Sequence, residues 1–299
     1  MRVFVTGASG WIGSAVVDEL VASGHEVLGL ARNEAGVAKV AAAGAEPLLG
    51  DLDDLPALRA AADSAEGVIH LGFKHDFSDM PGAWRTERAV VEMFGDVLAG
   101  TDRPFLLASG VAGLTPGRVA TEADVSTHVG PQAMRGGSEH LALLFADRGV
   151  RSMSSRFSPT VHGTGGDHGF IAVLVGIARE KGVAGYVGDG SNRWPAVHRL
   201  DAARMVRLGF ETAPAGTVLH AVAEEGVPAI EIATAIGRQL GVPTASVAAD
   251  EAEAHFGWIG MFFGADIPAS SAATRRLLDW EPTHPTLIED LEAGAYTAD

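Results

Sequence analysis

Val3-Phe4-Val5-Thr6-Gly7-Ala8-Ser9-Gly10-Trp11-Ile12-Gly13 decides the fold of this 299-residue chain. A short apolar run empties into a glycine-rich turn. Residues 14–23 then carry the apolar spacing of a helix, and residues 25–30 read as the next strand. Three glycines in that setting imply a cradle for a dinucleotide. Gly7 permits the tight turn, Gly10 lets backbone N–H groups approach a pyrophosphate, and Gly13 lets the helix pack closely on the strand. Ser9, Trp11 and Ile12 share the turn and are expected to contact the same cofactor.

The beat continues outward from the turn. Helix-like spacing over residues 33–43 is followed by a short strand at 46–49, a helix at 55–62 and the apolar run Val68-Ile69-His70-Leu71. Amphipathic segments over residues 81–98 and 132–147 lead into apolar runs at 104–109 and 150–157. Such alternation predicts an α/β protein with a doubly wound parallel Rossmann sheet, its ligand chemistry at the carboxyl ends of the strands. Beyond about residue 160 the pattern loosens: residues 163–169 are a glycine-rich loop, and helices at 170–180 and 230–240 are separated by short strands. Residues 1–160 are therefore expected to form the dinucleotide-binding domain. Residues 161–299 would form a smaller substrate-binding region partly interleaved with the sheet.

Composition narrows the function. With 38 acidic against 22 basic side chains, the net charge of -16 opposes binding to nucleic acid or to an anionic membrane surface. No cysteine is present, which removes disulfides, zinc–thiolate sites and thiol catalysis. No apolar run approaches the roughly 20 residues needed to span a bilayer, and the N-terminus enters a strand at once, so a cytoplasmic protein is expected. The 11 histidines are dispersed without an HxxxH or HExxH pair, and no metal site is expected.

Residues 6–13 resemble the TGxxGxxG of extended short-chain dehydrogenases/reductases, the NAD-dependent epimerase/dehydratase-like branch. Further landmarks agree in order: Gly50-Asp51-Leu52, Val68-Ile69-His70-Leu71, Val161-His162-Gly163, residues 187–190, Val197-His198 with Asp201-Ala202-Ala203, and residues 278–282. The resemblance covers nearly the whole chain. It implies that Asp51 and Leu52 meet the adenine edge, that Leu71 and Gly72 line the floor under the ribose, and that Pro159 and Val161 complete the cofactor contacts. It also implies, by analogy alone, a homodimer through the helices near residues 85–98 and 132–147.

The second strand ends Gly29-Leu30-Ala31-Arg32. An NAD site usually ends this strand with a carboxylate for the ribose 2′-hydroxyl, whereas an arginine suits a 2′-phosphate. NADP(H) is the expected cofactor.

The catalytic pattern departs from the family. Ordinary members use Ser/Tyr/Lys with the tyrosine four residues before the lysine, but neither Tyr186 nor Tyr296 has a lysine four positions on. Matching the family's K-xxx-E to Arg135 and Glu139 puts Pro131 at the tyrosine place; shifting the match puts Arg135 there and Glu139 at the lysine. The pattern is similar to an atypical subgroup in which HxxxR replaces YxxxK, although the histidine position is again Pro131. Arg135 can polarise a carbonyl but is too basic to donate a proton. His128, three residues before the missing phenol, is the first candidate donor because imidazoles exchange protons near neutrality. His162, His75 and Lys74 are expected at the same rim, and Ser109 resembles the family serine that hydrogen-bonds the substrate carbonyl. Arg193-Trp194-Pro195, Trp258, Phe262 and Phe263 suggest apolar walls.

These residues point to NADPH-dependent reduction of a small aldehyde or ketone. Two rivals stay open: a non-catalytic NADP(H) sensor acting on a partner protein, and a nucleotide-sugar epimerase or dehydratase, which the scarcity of lysines and the missing tyrosine weaken.

Overall fold

Val3 and Val5 of the first strand point to one side and Phe4 to the other, and all three are completely buried. A strand buried on both faces must lie inside a sheet covered above and below by helices. The computed structural model, which describes residues 1–74, 79–115 and 117–296, has that arrangement. The first half runs β1 (Arg2–Thr6), α1 (Trp11–Ala22), β2 (Glu26–Ala31), α2 (Glu34–Ala42), β3 (Glu46–Leu49), α3 (Leu55–Asp63), β4 (Gly67–His70), α4 (Met80–Leu98), β5 (Pro104–Gly110), α5 (Ser138–Leu144) and β6 (Arg151–Phe157). The second half runs β7 (Thr160–His162), α6 (Phe170–Lys181), β8 (Ala184–Val187), β9 (Arg193–His198), α7 (Arg199–Thr212), β10 (Thr217–Ala221), β11 (Glu224–Pro228), α8 (Ala229–Leu240) and β12 (Thr244–Val247). Four short helices follow: α9 (Ala252–Phe256), α10 (Gly260–Phe263), α11 (Ala272–Leu278) and α12 (Leu287–Glu292).

Seven strands form one sheet in the order β10-β6-β5-β4-β1-β2-β3, all parallel. The strand order reverses between β1 and β4, and this is where an open α/β sheet binds its ligand. Val3 and Val5 join a core with Val16, Val17 and Leu20 of α1 and Met205, Val206 and Phe210 of α7. Phe4 joins the opposite core with Leu58 of α3, Val90, Val91 and Phe94 of α4 and Phe145. A third core around Trp194, Ile232, Phe256 and Phe263 sits under the smaller sheets β11-β9-β7 and β12-β8. Both α7 and β10 return from beyond residue 160 to the main layers. Among the described residues no helix is long and apolar enough to cross a membrane.

Side chains fix where the helices start. Asn33, Asp54 and Asp79 accept hydrogen bonds from the amides of Gly36, Ala57 and Gly82, capping α2, α3 and α4 at 2.9, 3.1 and 2.9 Å. Each such cap contributes about 1 kcal/mol. By contrast α1 begins at Gly10 with no side-chain cap and no acidic residue in its first turn.

One expected element is cut short. The amphipathic spacing over 132–147 predicts a single helix, but α5 begins only at Ser138. Arg135, Gly136 and Gly137 all take left-handed backbone conformations, with φ of 54°, 63° and 64°. A Cβ on Gly136 would lie 2.8 Å from the Trp84 carbonyl oxygen, and one on Gly137 would lie 2.7 Å from the Gly130 nitrogen. Side-chain periodicity could not register this, because the turn depends on two residues without side chains.

Candidate active site

The glycine turn lies at the β1/β4 crossover. A Cβ on Gly13 would come within 2.0 Å of the Gly7 carbonyl oxygen, and one on Gly7 within 2.8 Å of the Gly72 nitrogen. The turn can therefore pack this closely only with glycine at both places. Thr6 and His70 are register partners at the ends of β1 and β4. The Gly72 amide donates to Thr6 Oγ1 at 3.0 Å, and Thr6 Oγ1 shares a hydrogen bond with His70 Nδ1 at 2.6 Å. Burial, and then the charge of Arg135, push the His70 imidazole down to about 3, so the ring is neutral. The cradle fits a dinucleotide: its glycine backbone is open to close approach, and the uncapped amides of α1 suit an anionic group.

Other expected cofactor residues lie around it. Ser9 accepts a hydrogen bond from Lys39 Nζ at its carbonyl oxygen, 3.1 Å. Ile12 packs against the β1/α1 core, and the Trp11 indole N–H donates to the Val161 carbonyl at 2.7 Å. That bond ties the turn to β7, with half-buried Pro159 just before it. Arg32 is exposed at the end of β2, next to the Asn33 cap, and among the described residues its guanidinium meets no hydrogen-bonding partner. Leu52 is buried, its side chain lying under Gly72. Asp51 accepts the Asp53 amide at 3.1 Å and lies 3.5 Å from Lys74 Nζ.

Lys74 is not a free rim cation. It pairs with Asp53, which also accepts from Thr86 at 3.1 Å, and the lysine hydrogen bond holds the Asp53 carboxyl below its usual range. His162 is likewise not at the rim. It belongs to β7, is fully buried, and its Nδ1–H donates to Asp290 at 2.6 Å. His75 lies outside the described residues. Trp194 is core instead of pocket wall, and Arg193 is held by Asp266 through contacts of 3.1 and 3.0 Å. Trp258 is largely exposed and packs edge-on against Phe170, and Phe263 is core. Phe262 does face a cavity.

That cavity, of about 250 Å³, opens at the carboxyl end of β5. Ser109, His128 and Arg135 all line it, together with Leu107, Leu114, Met134 and Phe262. Two carboxylates also face it, and each is matched by an arginine. Glu87 of α4 receives Arg135 Nε at 3.0 Å and Nη2 at 2.5 Å, a bidentate pair, while the same guanidinium lies 4.8 Å from the Phe73 ring centre. Glu139 of α5 receives Arg156 Nε at 2.7 Å and Nη2 at 3.1 Å, and Ser154 Oγ at 2.6 Å. Desolvation raises the Glu87 carboxyl, and the Arg135 charge works against that rise. Among the described residues no group of three or more His, Cys, Asp or Glu gathers to hold a metal.

Glu87 was open to discovery in the sequence. It falls on the apolar face of α4, in step with Ala83, Val90, Val91 and Phe94, and an acid in that row needs a buried partner. What the sequence could not give was the partner, which lies 48 positions away across the left-handed turn.

Comparison with known proteins agrees with the geometry. The family described as "NAD dependent epimerase/dehydratase family" matches residues 3–100. An uncharacterized protein of Schizosaccharomyces pombe is 46% identical over 297 residues, covering 99% of this chain and 100% of that protein. A ketoreductase of Stigmatella aurantiaca, acting on a 3-oxo-4-farnesyl-dihydroquinoline oxide by its name, is 40% identical over 70 residues, covering 23% of this chain and 21% of that protein. Among solved structures, the UDP-glucose 4-epimerase of Thermotoga maritima superposes with a TM-score of 0.78 at 19% identity, over 99% of this chain and 98% of that one, a likeness of fold. The chain belongs to the NAD-dependent epimerase/dehydratase family.

Proposed function

We propose that this protein reduces a small carbonyl compound, an aldehyde or ketone, with NADPH, as a short-chain reductase that works without the YxxxK pair. The observation that carries the reading is the convergence of Ser109, His128 and Arg135 on one cavity, with Arg135 already aimed by Glu87. When bound, the reduced nicotinamide supplies the hydride. Arg135 polarises the carbonyl oxygen through its remaining N–H groups, and the Ser109 hydroxyl donates a second hydrogen bond to it. His128 delivers the proton, which a guanidinium is too basic to give.

Cavity charge favours this reading over a nucleotide-sugar reaction. Among the described lining residues Arg135 is the one arginine or lysine, and Glu87 already pairs with it. A diphosphate would find no free positive partner there, and the volume is small for a drug-sized ligand. The short match to a ketoreductase supports the direction of the chemistry. Arg32, with no partner among the described residues, supports NADPH over NADH.

The test mixes purified protein with NADPH and a panel of small aldehydes and ketones and follows the absorbance of the reduced nicotinamide. Turnover that falls on the order of 100-fold in Arg135→Met is expected, in keeping with the usual size of an oxyanion contact. NADPH binding with no turnover on any carbonyl, unchanged in the variant, would favour the sensor reading instead.

A further inference from the structure

Arg199, the first residue of α7, is the exception among the arginines. Every other arginine that is buried or half-buried hydrogen-bonds to a carboxylate or a backbone carbonyl. Arg199 is half-buried and, among the described residues, meets neither. In a chain of net charge -16, a partly desolvated cation left without an acid is unusual, because carboxylates are abundant and desolvation is costly. Its guanidinium instead lies over the Trp11 ring, 4.2 Å from the centre. A ring face offsets the desolvation only in part.

The position is well defined. Trp11 opens α1 directly after Gly10, and its indole is fixed by the bond to Val161. On another side, Gly163 comes so close that a Cβ there would lie 3.1 Å from Arg199 Cγ. The side chain is thus held between the ring of Trp11, the first residue of the helix that follows the glycine turn, and the start of the loop after β7; the amides that open that helix have no side-chain cap. We infer that Arg199 is a binding residue for the dinucleotide's pyrophosphate, its planar fork pairing with phosphate oxygens from the side opposite the turn amides. The inference rests on dinucleotide binding alone, and needs neither the carbonyl substrate nor the 2′-phosphate preference.

Calorimetric titration of NADPH, NADH and ADP into wild type, Arg199→Met and Arg199→Lys tests it, at low and high salt. Arg199→Met keeps an apolar stem on Trp11 but removes the charge. It should weaken all three ligands by about tenfold or more, as expected for a lost charge-assisted hydrogen bond, and should flatten the salt dependence of binding. Arg199→Lys, which restores the charge without the fork, should recover part of the affinity and the salt slope. Affinities unchanged in Arg199→Met would overturn the inference; so would a loss that leaves the salt slope as in wild type, since that would mark a structural role. Should Arg199→Met fail to fold, wild-type affinity in Arg199→Lys would overturn the requirement for the fork, and an intermediate affinity would support it. Dinucleotide binding without carbonyl turnover would sink the proposed reaction and leave this inference standing.

Discussion

Replacing Arg135 with alanine removes the only side chain that hydrogen-bonds Glu87 among the described residues, and Glu87 is 2% exposed. A carboxylate stranded there must take up a proton or remain charged in an apolar setting. An unburied glutamate ionises near 4.5, so holding this one neutral at pH 7 spans 2.5 pH units, or about 3.4 kcal/mol. That figure is a ceiling, and it sits within the range of about 3–5 kcal/mol for breaking a buried pair. Because the stranded group ionises above the unfolded value, the penalty is present at neutral pH and fades as the pH falls toward 4.5. At pH 5 its ceiling is about 0.7 kcal/mol. Urea unfolding at both pH values should therefore show Arg135→Ala losing about 2–3 kcal/mol at pH 7 and under about 1 kcal/mol at pH 5. Adding Glu87→Gln should restore most of the loss at pH 7. An equal loss at both pH values, or a double variant no more stable than Arg135→Ala, would refute the buried-carboxylate reasoning.

Other outcomes follow from single positions. Gly13→Ala forces a Cβ within 2.0 Å of a backbone oxygen, so about 3 kcal/mol or more of stability and all measurable dinucleotide affinity should be lost in melting and binding assays. Gly176→Ala, in α6 with open space around its Cβ, is the control and should gain about 0.5–1 kcal/mol; a harmless Gly13→Ala would contradict the packing argument. Arg32→Ala should weaken NADPH at least about tenfold while sparing NADH, and equal weakening of both would sink the 2′-phosphate assignment. His70, held neutral down to about 3, binds its proton more weakly folded than unfolded, so stability falls as pH drops below 6.5, by about 2 kcal/mol at pH 5. Urea midpoints should show that slope in wild type and a flatter one in His70→Asn; an unaltered slope would assign the acid sensitivity elsewhere.

Much of the parallel sheet was legible in the sequence, because strands buried on both faces and amphipathic helices announce themselves by period. The glycine turn was legible for the same kind of reason: its spacing reflects contacts within a dozen residues, from β1 to Gly13. The site was legible only where its residues stand at strand ends. Ser109 could be expected at the end of β5 from the apolar run before it. His162 could not be assigned correctly, because its partner Asp290 is 128 positions away and burial there is decided by α12. The same holds for Trp194, an aromatic that reads equally well as wall or core until the rings of Phe262 and Phe263 are seen packed against it.

The late start of α5, at Ser138, has a consequence for how the protein can change. A helix extended back to residue 132, as its spacing predicts, would add six residues, about 9 Å of rigid cylinder, along one side of the site. Here that side is built instead from the irregular segment that carries Ser126, Thr127, His128 and Met134. A helix tolerates insertions poorly, since each residue added rotates everything beyond it by about 100°. A loop pinned by its left-handed turn at one end can lengthen, shorten or change its side chains while Ser109 and the sheet beneath stay fixed. If the cavity holds the substrate as proposed, its selectivity is separable from the dinucleotide scaffold, and variation among relatives that alters substrate choice should collect in residues 121–134.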